Sequence, residues 1–435
     1  MTRLKNPDLL LKKYLEKHNP RYRVPDPVKE DTGIIVVIPA YREDELIFST
    51  IKSLFSCEPP SFRVEVIVVF NTPEDEKPEI ISEQKACASS VRDFTKSGEC
   101  PGWLSLFTIE AYDLRKKHFG AGLARKTGLD EAARRLDSID SPNGILACLD
   151  ADSSVAPNYF TAIEQWFDTP ENMAASIYFE HPLEGNIFPA EVYEAITLYE
   201  LHLRYYLLGL KESGFPYAFH TVGSCMVFRT INYARAGGMP KKQAGEDFYL
   251  LQKLIPLGGF GEINNTTVYP SPRPSSRVIF GTGASVRQHV DGSQKQGTSY
   301  NPLVFSDLKD FFTLAPEIFS LPIADFEDWT YKLTGPLRSF LLNSKFEQEL
   351  IIIKRNCNNE KSFLKHFFGV FNGFKIIKYL NYAHEHFYAR SDLFEAAHTA
   401  LEAKDVDLSD VLEEKELLVK YREWELGVRD LGFRV

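Results

Sequence analysis

The stretch of this sequence best equipped for chemistry is Asp150-Ala-Asp152. It ends an apolar run, Gly144 to Leu149, that reads as a buried parallel strand. A strand's period of two points residues 150 and 152 the same way, aiming two like charges at one spot beyond the sheet edge. Such a pair is costly unless a cation or a ligand group compensates it. The carboxyl ends of strands in open α/β sheets are also where such folds bind ligands. A second acidic pair, Glu246-Asp247, follows Gly245 at the start of a segment patterned as a helix to Leu254. Carboxylates in a first helical turn complement the helix dipole, which predicts that both stay ionised at neutral pH.

The elements that must carry these residues alternate. Gly33 to Ile38 is a β-branched run suited to a parallel strand covered on both faces, closed by Pro39-Ala-Tyr-Arg-Glu-Asp44. A helix from about Glu45 to Leu54 is expected next, then a strand from Val64 to Phe70 that ends in Asn71-Thr-Pro. Residues 73–101 read as a helix with loops, Leu104 to Ile109 as a strand, and Gly120 to Leu136 as a helix with a small-residue start. Further strands are expected at 174–179, 223–229 and 267–269, with a long aromatic helix over 191–210. Strands and helices in this alternation imply βαβ units, whereas from about residue 300 onward most segments are helical. The polar, proline-bearing residues 1–30 read as an arm or a short capping helix.

Composition narrows the function classes. The chain has 435 residues, 44% of them apolar and 25% charged, and a formal charge of -10. That balance argues against a general binder of nucleic acid or anionic membranes, so an anionic substrate must be held locally by a metal or a few placed basic groups. The 6 cysteines are scattered without a CxxC pair, and Cys148 and Cys225 lie in apolar runs as buried thiols. No stretch is long enough to span a membrane, and a cytoplasmic protein is expected. Peripheral attachment to the inner face of a membrane stays open.

Four segments, in this order, resemble family 2 glycosyltransferases: Ile38 to Glu43, Phe119 to Gly128, Leu149 to Ser153, and Gly237-Gly238 followed by Gly245-Glu-Asp247. The resemblance covers about residues 33–290. It implies an α/β GT-A type three-layer sandwich with a mostly parallel central sheet, a nucleotide-diphospho-sugar donor and a divalent metal, Mg2+ or Mn2+. The expected organisation is an arm over 1–30, a glycosyltransferase domain over 31–299 and a mainly helical region over 300–435.

By the same resemblance, Pro39, Ala40, Tyr41 and Glu43 lie beside the nucleotide. Phe70-Asn71 stands where the family carries an acidic pair that touches the base, and the Asn71 amide can still bond a base edge. Lys116, Lys117 or Arg125 falls on the base and diphosphate side. Asp150 reaches the donor ribose or a metal-bound water, and Asp152 is the direct metal ligand. Asp247 is expected to be the general base of an inverting displacement, with Glu246 as second choice. His289 is a candidate to complete the metal shell, since imidazole is compatible with Mn2+. Arg273, Arg277 and Arg287 offer an alternative means of holding the diphosphate, by forked hydrogen bonds.

The competing readings are structural: a solvated strand end for Asp150 and Asp152, an ordinary first turn for Glu246-Asp247, and a loop histidine at 289. Tyr199, Tyr205, Tyr206, Phe215, Tyr217 and Phe219 crowd one region and could stack on sugars, although helical spacing favours core. Oxygen ligands suit Mg2+ or Mn2+, and nothing supplies the Cys/His cluster of structural zinc. The chain lacks the Gln-x-x-Arg-Trp signature of processive synthases, which points to transfer of a single sugar to a carbohydrate, lipid-linked or small-molecule acceptor. A retaining transferase and a non-catalytic sugar-nucleotide scaffold are the alternatives. Self-association through the C-terminal helices is left open.

Overall fold

Ile34 to Ile38 are wholly buried, as a strand covered on both faces requires, and they form the inner part of a longer strand. The computed structural model describes residues 7–43, 46–277, 281–294 and 297–427. In it, α1 (Pro7–Lys17) precedes this strand, β1 (Thr32–Ala40). There follow α2 (Ile47–Phe55), β2 (Arg63–Pro73), α3 (Pro78–Phe94), β3 (Leu104–Leu114), α4 (Ala121–Asp137) and β4 (Ile145–Cys148). Next come β5 (Ser154–Val155), α5 (Tyr159–Phe167), β6 (Ala174–Phe179) and the long helix α6 (Ala190–Glu212). The series continues with β7 (Met226–Arg229), α7 (Thr230–Arg235), α8 (Glu246–Leu254), β8 (Phe260–Tyr269), α9 (Thr282–Val290) and, after a two-residue strand, α10 (Leu303–Ser320).

The first eight strands form one sheet in the order β3-β2-β1-β4-β7-β6-β8-β5. Its β3-β2-β1-β4 half is parallel throughout, β7 runs antiparallel to both β4 and β6, β6 and β8 are parallel, and β5 is antiparallel to β8. The expected mostly parallel α/β sheet is therefore present. Helix α4 lies very close to it. A methyl group on Gly128 would stand 2.4 Å from a Val37 side-chain carbon and 2.9 Å from one of Val69, so only glycine permits this approach. Farther along α4, buried Arg135 donates to both carboxylate oxygens of Glu65 on β2, at 2.6 and 2.7 Å.

The chain divides into two compact units. One comprises 1–182 and 221–284 and contains the whole sheet; the other comprises 183–220 and 285–435. The second unit is built from α6, α10 and further helices as far as Glu425. Phe311, Phe346, Phe363, Phe367, Phe371 and Tyr379 are fully buried in its core. Tyr205 and Phe215 are buried there too, so the aromatic stripe around residue 205 packs as core. Within the same unit Glu200 of α6 accepts two hydrogen bonds of 2.8 Å from Arg422, binding α6 to the helix Glu414–Glu425. Among the described residues no helix is long and apolar enough to cross a membrane.

Three local expectations change. The strand expected to reach Leu149 stops at Cys148, and a turn closed by the Ser153 N–H donating to the Asp150 carbonyl (3.1 Å) follows. Residues 223–225 form a 3-10 turn, leaving only Met226–Arg229 as strand. The strand expected at 267–269 is the end of the ten-residue β8, whose earlier part is only half buried and so lacks an apolar signature.

Candidate active site

Because β4 ends two residues before Asp150, the alternation that would aim Asp150 and Asp152 at one spot does not extend to them. The two carboxylates find different cations. Asp150 accepts from Arg125 and Asp152 from Arg273, whose Nη2 lies 2.9 Å away.

Arg125 comes from the first turns of α4 and is 4% exposed. Its guanidinium joins Asp150 after β4 to Glu246 at the start of α8, through one terminal nitrogen each. Burial alone would lower its pKa, but the negative charges of Asp150, Glu246 and Asp247 outweigh that and hold it above the usual arginine value. The expectation that Arg125 serves the diphosphate therefore meets a guanidinium already committed to carboxylates. Glu246 is committed in the same way, being 3% exposed.

Asp247 differs from its neighbour. Gly245 takes a left-handed conformation, φ 69°, that lets the chain turn into α8. Asp247, in the first turn, accepts from the N–H of the next residue, Phe248, at 2.7 Å, and it forms no ion pair among the described residues. Burial, and next the charge of Glu246, raise its pKa well above the usual carboxylate range. The helix start was expected to keep the Asp247 carboxylate ionised at neutral pH, but desolvation and a like charge work against the dipole's help. Gly223 packs directly against this group, since a Cβ there would stand 2.8 Å from Arg125 Nη2 and 2.9 Å from Asp247 Oδ2. Nothing in the sequence distinguished Gly223 from any glycine that opens a strand.

The second acidic group sits at the tip of β1. Arg42 adopts φ 58°, unusual for a residue with a side chain, and turns the chain there. Glu43, next along, accepts from Arg273 Nη2 at 2.6 Å and also from Arg277, which in addition donates to the Tyr41 carbonyl. Asp152 and Glu43 thus converge on one guanidinium supplied by the segment after β8. Burial, followed by the charges of Glu43 and Asp150, pushes the Asp152 carboxyl up to about 6. Burial would lower the Arg273 pKa, yet Asp152 and Glu43 raise it.

Tyr41 meets Phe119 edge-on at 5.0 Å and donates to Glu76 at 2.5 Å; burial and that bond lift its pKa to about 12. Neither Phe119 nor Glu76 was singled out as a contact by the sequence. Ala40 is buried at the end of β1, and Pro39 beside it is half-buried. Asn71, 2% exposed at the end of β2, has no hydrogen-bond partner for its Oδ1 among the described residues. Lys116 pairs with Asp75 at 2.6 Å on the surface, and Lys117 is exposed. His289 lies in the last turn of α9, in the second unit, with Nε2 3.8 Å from Glu194. Among the described residues no three His, Cys, Asp or Glu side chains come together in a group able to hold a metal ion.

A full protein cage is not what a magnesium-type site needs. Such ions take one or two carboxylates and complete their shell with water and substrate phosphates. Asp152 and Glu43, two oxygen donors already facing one cationic group, fit that requirement.

Residues 35–233 match the family described as glycosyl transferase family 2. The matched stretch runs from β1 into α7 and carries Glu43, Arg125, Asp150 and Asp152, so the chain contains a family 2 glycosyltransferase region and is a glycosyltransferase. No curated protein matches the sequence. Among solved structures, Staphylococcus aureus TarS 1–349 in complex with UDP-GlcNAc is 12% identical and has a TM-score of 0.39, covering 72% of this chain and 87% of that one. The mannosyltransferase PcManGT from Pyrobaculum calidifontis, in complex with GDP-Man and Mn2+, is 16% identical with a TM-score of 0.34, covering 99% and 95%. GalNAc-T7 with UDP, GalNAc and Mn2+ is 14% identical with a TM-score of 0.36, covering 79% and 58%. Likeness of this degree carries no weight for the chemistry, which rests on the family match and the side chains.

Proposed function

We propose that the protein transfers one sugar from a nucleotide-diphospho-sugar to an acceptor hydroxyl, with inversion, and that a divalent metal assists departure of the nucleoside diphosphate. The observation that carries this reading is Asp247. It is an acid with no ion pair among the described residues, raised in pKa and set against Arg125 and Gly223, while the adjacent Glu246 is tied to Arg125. A general base needs a free carboxylate oxygen and a pKa drawn toward the working pH, and Asp247 offers both.

In this reading Asp247 accepts the proton of the acceptor hydroxyl as its oxygen bonds to the anomeric carbon. The bond from that carbon to the diphosphate breaks on the opposite side, and its electron pair leaves with the nucleoside diphosphate. Asp152, with Glu43 beside it, would hold Mg2+ or Mn2+, which when bound neutralises charge growing on the leaving diphosphate. Asp150, fixed by Arg125, faces the donor ribose. Arg277 and Arg273 supply forked donors for the diphosphate. Tyr41, Asn71 and the Lys116–Lys117 turn line the nucleotide side, where the Asn71 oxygen, without a partner among the described residues, would accept from a base N–H. The acceptor is a carbohydrate, a lipid-linked sugar or a small molecule bearing a free hydroxyl.

The test is a panel of sugar nucleotides, with and without Mn2+, in which nucleoside diphosphate release is measured and the product anomer is assigned by NMR. Inverted product whose formation needs Asp247 supports the reading. Retention at the anomeric carbon, or full turnover by Asp247→Asn, sinks it.

A further inference from the structure

The guanidinium of Arg273 stands on the two carboxylates that the proposed function gives to the metal. Its Nη2 reaches Glu43 at 2.6 Å and Asp152 at 2.9 Å. A metal ion on Asp152 and a guanidinium on the same oxygens exclude one another by charge and by space. Arg277 doubles the attachment by binding Glu43 and the Tyr41 carbonyl, so the segment after β8 is fastened to the tip of β1 through two arginines. Neither arginine is sealed in: their side chains are 23% and 27% exposed, against 5% for Arg125. A partly solvated fork can exchange carboxylate oxygens for phosphate oxygens of similar geometry, whereas a buried one would strand its partners.

We propose that Arg273 is an exchangeable latch, a built-in cation that covers Asp152 and Glu43 until a nucleoside diphosphate draws the guanidinium onto its phosphates and opens these carboxylates to the metal. The inference rests on the proposed metal role of Asp152 and adds an order to it. Metal alone binds poorly because it must evict Arg273. Metal with a nucleoside diphosphate binds well because the diphosphate gives Arg273 a new partner. The arginine therefore has opposite effects on the two ligands, weakening metal binding by itself and strengthening diphosphate binding.

The experiment is Mn2+ titration of the full chain, followed by electron paramagnetic resonance of the free ion, first with Mn2+ alone and then with UDP or GDP present. Arg273→Gln is expected to tighten binding of Mn2+ alone by roughly 10-fold, the order of one charged hydrogen bond removed from competition. The same variant is expected to weaken UDP or GDP, measured calorimetrically without metal. Arg273→Lys, which keeps the charge and loses the fork, should fall between wild type and Arg273→Gln. Arg277→Gln, which spares Asp152, should tighten Mn2+ less than Arg273→Gln does. Circular dichroism and thermal unfolding confirm that each variant is folded. Unchanged or weakened binding of Mn2+ alone by folded Arg273→Gln overturns the latch while leaving a metal role for Asp152 standing. Failure of wild type and variant alike to bind Mn2+ with either diphosphate saturating overturns the metal reading, and the latch with it.

Discussion

Two acidic groups lie in the sheet-bearing unit, and they are neutralised in different ways. Asp150, Glu246 and Asp247 surround Arg125, which a helix packed hard on the sheet delivers in a buried position. Asp152 and Glu43 are held by Arg273 and Arg277 from the segment after β8, both in contact with solvent. A buried guanidinium cannot leave without abandoning carboxylates in a poorly solvated place. One that touches water can change partners. The contrast assigns a fixed electrostatic setting to the proposed base and a replaceable one to the leaving group, whose charge arrives and departs in every cycle.

The largest expected effect separates the two groups by function. Asp247→Asn should lower kcat by about 10²- to 10⁴-fold, the usual contribution of a general base, while nucleotide-sugar affinity stays near wild type. Asp152→Asn should instead abolish the gain in affinity that Mn2+ gives the donor. Steady-state kinetics together with calorimetric titration of both variants would break the comparison if the two losses had the same profile.

The next effect concerns stability. Arg125→Met removes the charge that Asp150 and buried Glu246 share, and should destabilise the fold by about 3–5 kcal/mol. Arg273→Gln, acting on a solvent-touching pair, should cost about 1 kcal/mol or less. Denaturant melts of the two proteins decide this. Equal losses would mean that the two guanidinium groups are not fixed and exchangeable in the sense argued above.

Gly223→Ala tests how tightly the fixed group is built. The added methyl would meet Arg125 Nη2, which donates to Asp150, at 2.8 Å, and at 2.9 Å the Oδ2 of Asp247, whose other oxygen accepts from the Phe248 N–H. Overpacking of this kind costs about 1–3 kcal/mol, and a displaced Asp247 should lose on the order of 10-fold in kcat. A wild-type rate with wild-type stability would show that Asp247 has room to move.

How far these groups could be read in the sequence follows from what each depends on. The parallel strands were legible because β1 and β2 are buried on both faces and written in Ile and Val. Helix α4 showed itself through small residues, and Gly128 against Val37 and Val69 is their physical reason. The carboxylates of the site were legible by type and order. Their pairing was not, because β4 stops at Cys148, two residues before Asp150, and the turn that follows places the acidic pair in two groups. Arg125 and Arg273 look alike in sequence, and only their burial divides them into a brace and a latch. The stretch 183–220 clusters with the C-terminal helices through contacts such as Gly209 against Phe305, which no local pattern encodes.

The smallest effect bears on the state of Asp247 itself. Burial and Glu246 raise its folded pKa above the unfolded carboxylate value, so the proton is bound more tightly in the native state. Stability from that preference is fully present below the unfolded value and is lost as pH rises through the folded one. At pH 8 the wild-type carboxylate is therefore a burden on the fold that an amide does not carry. Asp247→Asn should be the more stable protein there by an amount of order 1 kcal/mol, discounted for the side chain's partial contact with solvent. Below the ordinary carboxylate range the advantage should vanish, since both side chains are then neutral. The same raised pKa places the acid limb of the wild-type rate profile above that range, because the base must lose its proton to work. Thermal unfolding of wild type and variant from pH 4 to pH 8, set beside the wild-type pH–rate profile, joins the two consequences. If the variant gains nothing at high pH, Asp247 is not held in a charged state that the fold disfavours, and its fitness as a base would have to come from position alone.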